Sequence, residues 1–396
     1  MHTDVLLGQA NDAQFMALTF TVNLRGRPLR RTYVSHFDFF RVPQTVFVRT
    51  NEAGQATIGS AVSTSQIRVR VHAQNAVVRV LDGSFPVPVE VSQEFTVSHG
   101  GTININTAAE QQDHFRIMAS CLDVYDTVWR QFRPFNQSSR GAFPFGTGGT
   151  VAQDRERLPR IEVVYPDNSP ATLAFVEPVS LTTGHPLIHI KHRSLDPRLF
   201  GTTSPSVDPT LIPHELAHAL YFAIMPATTR ASVESQYLAW ITSRVAAGLP
   251  PFHNTTTATT PFVAWIEALG IFSERFFFFA RRHTPPLTDV QLRQAFFRDE
   301  LSATPLLQST ALTDYSQVAT LNGGVVPALT GDNVEGAVYG AIFVDLARRA
   351  GLRESVGQYM ASSDNSVLNF DDFRNLLINE TDLDPDVIAV ANTWGL

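Results

Sequence analysis

From about residue 14 to residue 106 the chain alternates apolar and polar positions with a period of two. Ile67, Val69 and Val71 alternate with Arg68, Arg70 and His72, and Val87, Val89 and Val91 alternate with proline or polar positions. Successive side chains of a strand point to opposite faces, so one face is core and the other is wet. Turn signals at Asn51 to Gly54, at Asp82-Gly83 and at Gly100-Gly101 divide the segment. The pattern predicts about seven short strands folded as an all-β sandwich. At Thr107 the period changes to 3.6. Thr107 and Glu110 form a capping box, and Phe115, Met118, Leu122, Tyr125, Trp129 and Phe132 recur at helical spacing. The change of period predicts a boundary, with a sandwich domain over 1–106 and a second domain over 107–396, each able to fold separately.

The second domain reads as α+β. After Pro134 a Gly/Ser/Phe loop runs to about residue 158, and strands are expected at 161–165, 173–176 and 187–190. Helices dominate from about residue 210, including one over 261–282 that contains the run Phe276 to Phe279.

Composition narrows the function classes. At 396 residues the chain exceeds the roughly 250 to 300 residues at which one hydrophobic core stops growing. A net charge of -7 and a pI near 5.9, with no basic run, exclude a nucleic-acid footprint. Cys121 is the only cysteine, so neither a disulfide framework nor a cysteine zinc cage can form, and any metal must be held by His and carboxylate. No apolar stretch is long enough to cross a membrane. No signal peptide is recognisable at the start, which leaves a secreted or processed form and a cytoplasmic one both open.

The chemistry is concentrated in Leu211-Ile-Pro-His-Glu-Leu-Ala-His-Ala-Leu220. On a helix, His214 and His218 lie one turn apart on one face, so both imidazoles can reach one ion. Glu215 follows the first ligand and would sit beside an open coordination position, able to take a proton from the attacking water. Thr210 can cap this helix, and Pro213 falls in the first turn, where its missing N–H costs nothing. Small and apolar neighbours, from Ala217 to Phe222, fit a helix in the floor of a cleft.

This segment resembles the zincin metallopeptidases, and within them the gluzincins, over about residues 108 to 396. The stretch Thr50 to Val80 similarly looks like the immunoglobulin-like modules appended to many extracellular bacterial enzymes. The resemblance implies one Zn2+ per chain, a peptide or protein substrate, and hydrolysis by activated water with Glu215 as general base. A zincin fold that has lost turnover and serves as a binding or structural module is the alternative. The metzincin pattern fails, because Tyr221 and Ile224 stand where Gly and His are required. The thermolysin and aminopeptidase spacing puts a Glu about 19 or 20 residues after the second His. Here those positions hold Tyr237 and Leu238.

With Cys excluded and no His at metzincin spacing, the third ligand is expected to be a carboxylate. Glu234, Glu267, Glu274 and Glu335 compete, and Glu267 leads, since Trp265-Ile-Glu-Ala-Leu-Gly270 looks like the gluzincin segment in which small residues after the ligand let the helix pack tightly. Tyr339 resembles the tyrosine that stabilises the tetrahedral oxyanion in many gluzincins. Gly184 to His192 carries three further histidines, but His185 and His189 would stand about 13 Å apart on a strand, too far to share an ion. The segment resembles the zincin edge strand, its backbone functional and its histidines incidental.

Overall fold

The computed structural model describes residues 16–38, 44–60, 66–75, 77–85, 87–105, 109–129, 161–167, 174–178, 186–191, 211–248, 260–282, 367–379 and 385–394, together with Phe343 and Leu346. An N-terminal sheet-rich region is followed by helices, as the change of period predicts. The strands are β1 (Met16–Leu24), β2 (Arg27–Pro28), β3 (Tyr33–Asp38), β4 (Gln44–Arg49), β5 (Gln55–Ser60), β6 (Gln66–His72) and β7 (Val78–Asp82). They continue as β8 (Val89–Glu90), β9 (Ser92–Ser98), β10 (Thr102–Ile105), β11 (Ile161–Asp167), β12 (Ala174–Glu177) and β13 (Leu187–Lys191). The described helices are α1 (Ala109–Val124), α2 (Leu211–Ile224), α3 (Ala227–Ala246), α4 (Pro261–Arg282), α5 (Phe370–Asn379) and α6 (Pro385–Trp394), and a π-helical turn, Tyr125–Trp129, follows α1.

Residues Met1–Asn75 and Glu90–Ala119 form one compact unit. It holds two four-stranded sheets. In the first, β1 pairs antiparallel with β2 and β5 and parallel with β10. In the second the order is β4-β3-β6-β9, antiparallel throughout. The period-two alternation is visible on β1, where Leu18, Phe20, Val22 and Leu24 are buried, and on β6, where Val69 and Val71 are. His72, which ends β6, lies 2.7 Å through Nε2 from Ser35 Oγ and 2.9 Å through Nδ1 from Glu90 Oε1. Burial pushes this imidazole below its ordinary value, against the pull of Glu90. A neutral ring that donates from Nδ1 to the carboxylate accepts the Ser35 hydroxyl at Nε2. The bridge thus joins the point where the chain leaves this unit to the point where it returns.

Residues Ala76–Val89 and Ser120–Leu396 form the second unit. This differs from the expected boundary at 106/107, because β7 leaves the N-terminal region and pairs parallel with β11. The sheet order is β12-β13-β11-β7-β8, with β13 also parallel to β11 and β12 antiparallel to β13. Two contacts fix β7 there. Arg79 donates a hydrogen bond to the buried carboxylate of Glu162, its partner in register. At Gly83 an added Cβ would lie 2.4 Å from the Pro166 carbonyl oxygen and 2.5 Å from Val164, so only glycine lets the end of β7 approach β11 this closely. One face of the sheet, with Val78, Val80, Ile161, Val163, Ile188 and Ile190, is fully buried, as expected of parallel strands in a covered sheet.

The Gly184 to His192 segment was expected to form the edge of the sheet. Instead β13 is internal, between β12 and β11, and the four-residue β12 forms one edge among the described residues, with β8 at the other. α2 touches β12, β13 and β11 and packs most extensively on α4. Phe276 to Phe279 lie on α4, as expected, and no described helix is long and apolar enough to cross a membrane. Thr107 and Thr210, the expected caps of α1 and α2, lie outside the described residues.

A fragment starting at residue 107 lacks β7 and leaves β11 with an unpaired, apolar edge, the arrangement that drives aggregation. We expect that fragment to be insoluble where the full chain is soluble. A monodisperse, folded 107–396 fragment in size-exclusion chromatography and circular dichroism would contradict the assignment of β7.

Candidate metal centre

α2 is apolar almost throughout its length: Ile212, Leu216, Ala217, Ala219, Leu220 and Tyr221 are buried. Pro213 falls in its first turn, where its lack of an N–H is harmless. His214 and His218 lie one turn apart, their rings 4.7 Å between centroids and nearly perpendicular. Glu215 is buried on the same helix at 6% exposure.

α4 runs from Pro261 to Arg282, the bounds expected from the sequence, and presents Glu267 to these rings. Glu267 Oε2 lies 3.1 Å from His214 Nε2, and Oε1 lies 3.7 Å from His218 Nε2. One ligand atom from each of the three residues falls within 4.8 Å of the others, so the group can hold a metal ion. In a tetrahedral site with bonds of about 2.0–2.2 Å, neighbouring ligand atoms stand about 3.4 Å apart. The two observed His–Glu distances, one to each carboxylate oxygen, lie either side of that value, and the three donor atoms lie within 4.8 Å of one another, so the group is of a size that can close on one ion.

The approach depends on a glycine. An added Cβ at Gly270 would lie 2.7 Å from Cε1 and Nε2 of His214 and 2.8 Å from Cε1 of His218, well inside van der Waals contact. Gly270 stands three residues after Glu267, on the same face of the helix, so the imidazoles rest against its bare backbone. A buried lock holds the same two helices. Trp265 Nε1 donates to Tyr221 Oη over 3.0 Å, and Tyr221 in turn donates to the carbonyl of Val367. Trp265 also packs on Phe343 and Phe373, with ring centroids 5.7 and 5.2 Å away. Sequence reasoning missed this lock, because Tyr221 and Trp265 read as ordinary core aromatics.

Among the remaining candidates, Glu234 is on α3 and half-buried, outside the cluster. Glu274 is on α4, but its side chain lies outside the described residues, as do Glu335 and Tyr339. No protein-family model matches the chain, and no curated protein matches it in sequence.

Removing the carboxylate removes one of three protein ligands. Glu267→Ala should therefore leave the protein without metal after dialysis, as His218→Ala should, whereas Glu274→Ala and Glu335→Ala should keep it. Gly270→Ala should weaken metal binding roughly 10- to 100-fold by displacing both rings. Metal content by mass spectrometry decides this, and an empty Glu335→Ala protein beside a metal-loaded Glu267→Ala protein would place the ligand on a later segment.

Proposed function

We propose that the chain is a zinc-dependent metallopeptidase of the zincin class, with an immunoglobulin-like sandwich at its N-terminal end. The observation that carries this reading is the convergence of His214, His218 and Glu267 on one point, with Glu215 adjacent to the first histidine. Two imidazoles and one carboxylate suit zinc and leave a fourth position for water or substrate. When bound, the ion polarises the scissile carbonyl and acidifies the attacking water. Glu215 accepts the proton of that water and returns it to the leaving amine. Tyr339 stabilises the developing oxyanion in this scheme, a role that rests on resemblance alone.

The partly exposed β12 supports a peptide substrate in particular, because a sheet edge offers unpaired N–H and C=O groups to an extended chain. The sandwich reading is supported by two four-stranded sheets with contacts between β1 and β9 and between β4 and β5.

The test is metal analysis of the full chain combined with digestion of a broad peptide library. We expect one zinc per chain and measurable hydrolysis. Glu215→Gln keeps size and hydrogen bonding but removes the base, so it should retain zinc and lose about 100-fold or more in rate. A variant that keeps more than about a tenth of the rate would make Glu215 structural. Zinc binding without hydrolysis by the fresh wild-type protein would favour an inactive zincin module.

A further inference from the structure

The second unit contains another group of ionisable side chains, outside the proposed metal ligands. His189 stands in the middle of β13, opposite Val164 of β11 on one side and Phe175 of β12 on the other. The Phe175 ring stacks flat on the imidazole, 4.2 Å between centroids and 3° from parallel. His189 Nδ1 lies 3.5 Å from Asp167 Oδ1 at the end of β11, and Nε2 lies 3.5 Å from Glu177 Oε2 at the end of β12. All three side chains are at least partly buried, with 16% of His189, 13% of Asp167 and 35% of Glu177 exposed.

Both ring nitrogens therefore face carboxylates, which accept hydrogen bonds and cannot donate them when ionised. A neutral imidazole has one N–H and turns a lone pair towards the second carboxylate, whereas an imidazolium turns an N–H towards each; at 3.5 Å both contacts are ion pairs rather than hydrogen bonds. Among the described residues, the other charged groups on this face are Lys191, two residues along β13 and opposite Asp167 in register, and Glu162 of β11, which Arg79 of β7 neutralises. α2, the helix in contact with these three strands, contributes His214 and His218, drawn to Glu267, as well as Glu215 and Tyr221, the last bonded to Trp265 and Val367.

We propose that His189 is a positioning residue for the substrate edge: as an imidazolium clamped between Asp167 and Glu177, it ties β12 to the sheet, and its neutralisation loosens that strand. The role of β12 in substrate binding rests on the metallopeptidase reading, but the clamp itself does not. β12 has four residues, is partly exposed along its whole length, and pairs only with β13 among the described residues. Besides its four-residue ladder with β13 and its contact with α2, the Phe175 stack and the Glu177 ion pair are the side-chain contacts that tie it to His189. Burial opposes the charge on His189, but Asp167 and Glu177 outweigh it and push the imidazole up to about 9 from an ordinary 6.5. A raised value means that the stabilising contribution is complete below pH 6.5 and is lost as the pH rises through about 9.

The experiment uses the full zinc-loaded chain and His189→Gln, which is neutral and carries its donors on one terminal atom, so its carbonyl oxygen is left to face the other carboxylate. In the wild type the His189 ring, followed by NMR, should keep its proton to about pH 9, and KM for a peptide substrate should rise as that proton is lost while kcat changes little. The variant should show, at neutral pH, a KM raised about fivefold, no further rise with pH, unchanged zinc content, and faster amide exchange in β12 but not in β7 or β11. A ring that titrates near its ordinary value, or a variant with wild-type exchange in β12, would overturn the clamp. If no peptide is hydrolysed, the metallopeptidase reading fails by itself, and the ring titration and the amide exchange still decide the role of His189.

Discussion

Ionisable side chains inside an apolar setting are costly unless they share a compensating charge, and the arrangement around α2 and α4 follows from that constraint. His218, Glu267 and Glu215 are buried at 5%, 7% and 6% exposure among Ala, Leu and Phe side chains. Removing a carboxylate from water costs on the order of several kcal/mol after relaxation. A bare His–Glu contact recovers part of this, and a divalent cation at the point of convergence recovers far more. The apolar helix and the polar cluster within it are thus two sides of one design: dry walls strengthen every electrostatic contact inside them.

Burial alone does not place three donor atoms within bonding distance of one point. That requires the imidazoles of α2 to lie against the backbone of α4, and Gly270 removes the methyl that would stand in the way. It also requires rotation about each helix axis to be fixed. The Trp265–Tyr221–Val367 hydrogen bonds and the ring cluster of Trp265, Phe343 and Phe373 do this from one turn along α2 and from just before Glu267 on α4. The donor atoms therefore stand on rigid elements supported by a packed core, the condition for a geometrically defined site.

What could be read from the sequence follows the range of the interaction concerned. His214 and His218 are four positions apart, so helical geometry alone brings them together, and α4 is bounded by its own pattern from Pro261 to Arg282. Glu267 is 49 positions beyond His218 and was one of four open candidates, because the return of α4 alongside α2 is a tertiary event. The membership of β7 was not legible. Val78 and Val80 alternate as they would in either sheet, and the contacts that fix β7 beside β11 are remote in sequence: Arg79 with Glu162, 83 residues away, and Gly83 against Val164 and Pro166. The same holds for β13, whose local pattern marks a strand but not its rank in the sheet. His189 read as incidental because its partners, Asp167 and Glu177, come from the strands on either side.

Whether the two histidines and Glu267 together hold one zinc ion is decided by zinc K-edge X-ray absorption on the full chain purified without added chelator. We expect a four-coordinate shell of nitrogen and oxygen atoms at about 2.0–2.2 Å, with outer-shell scattering from two imidazoles. A sulfur scatterer at about 2.3 Å, a shell with one imidazole or none, or a protein that retains no zinc would contradict it.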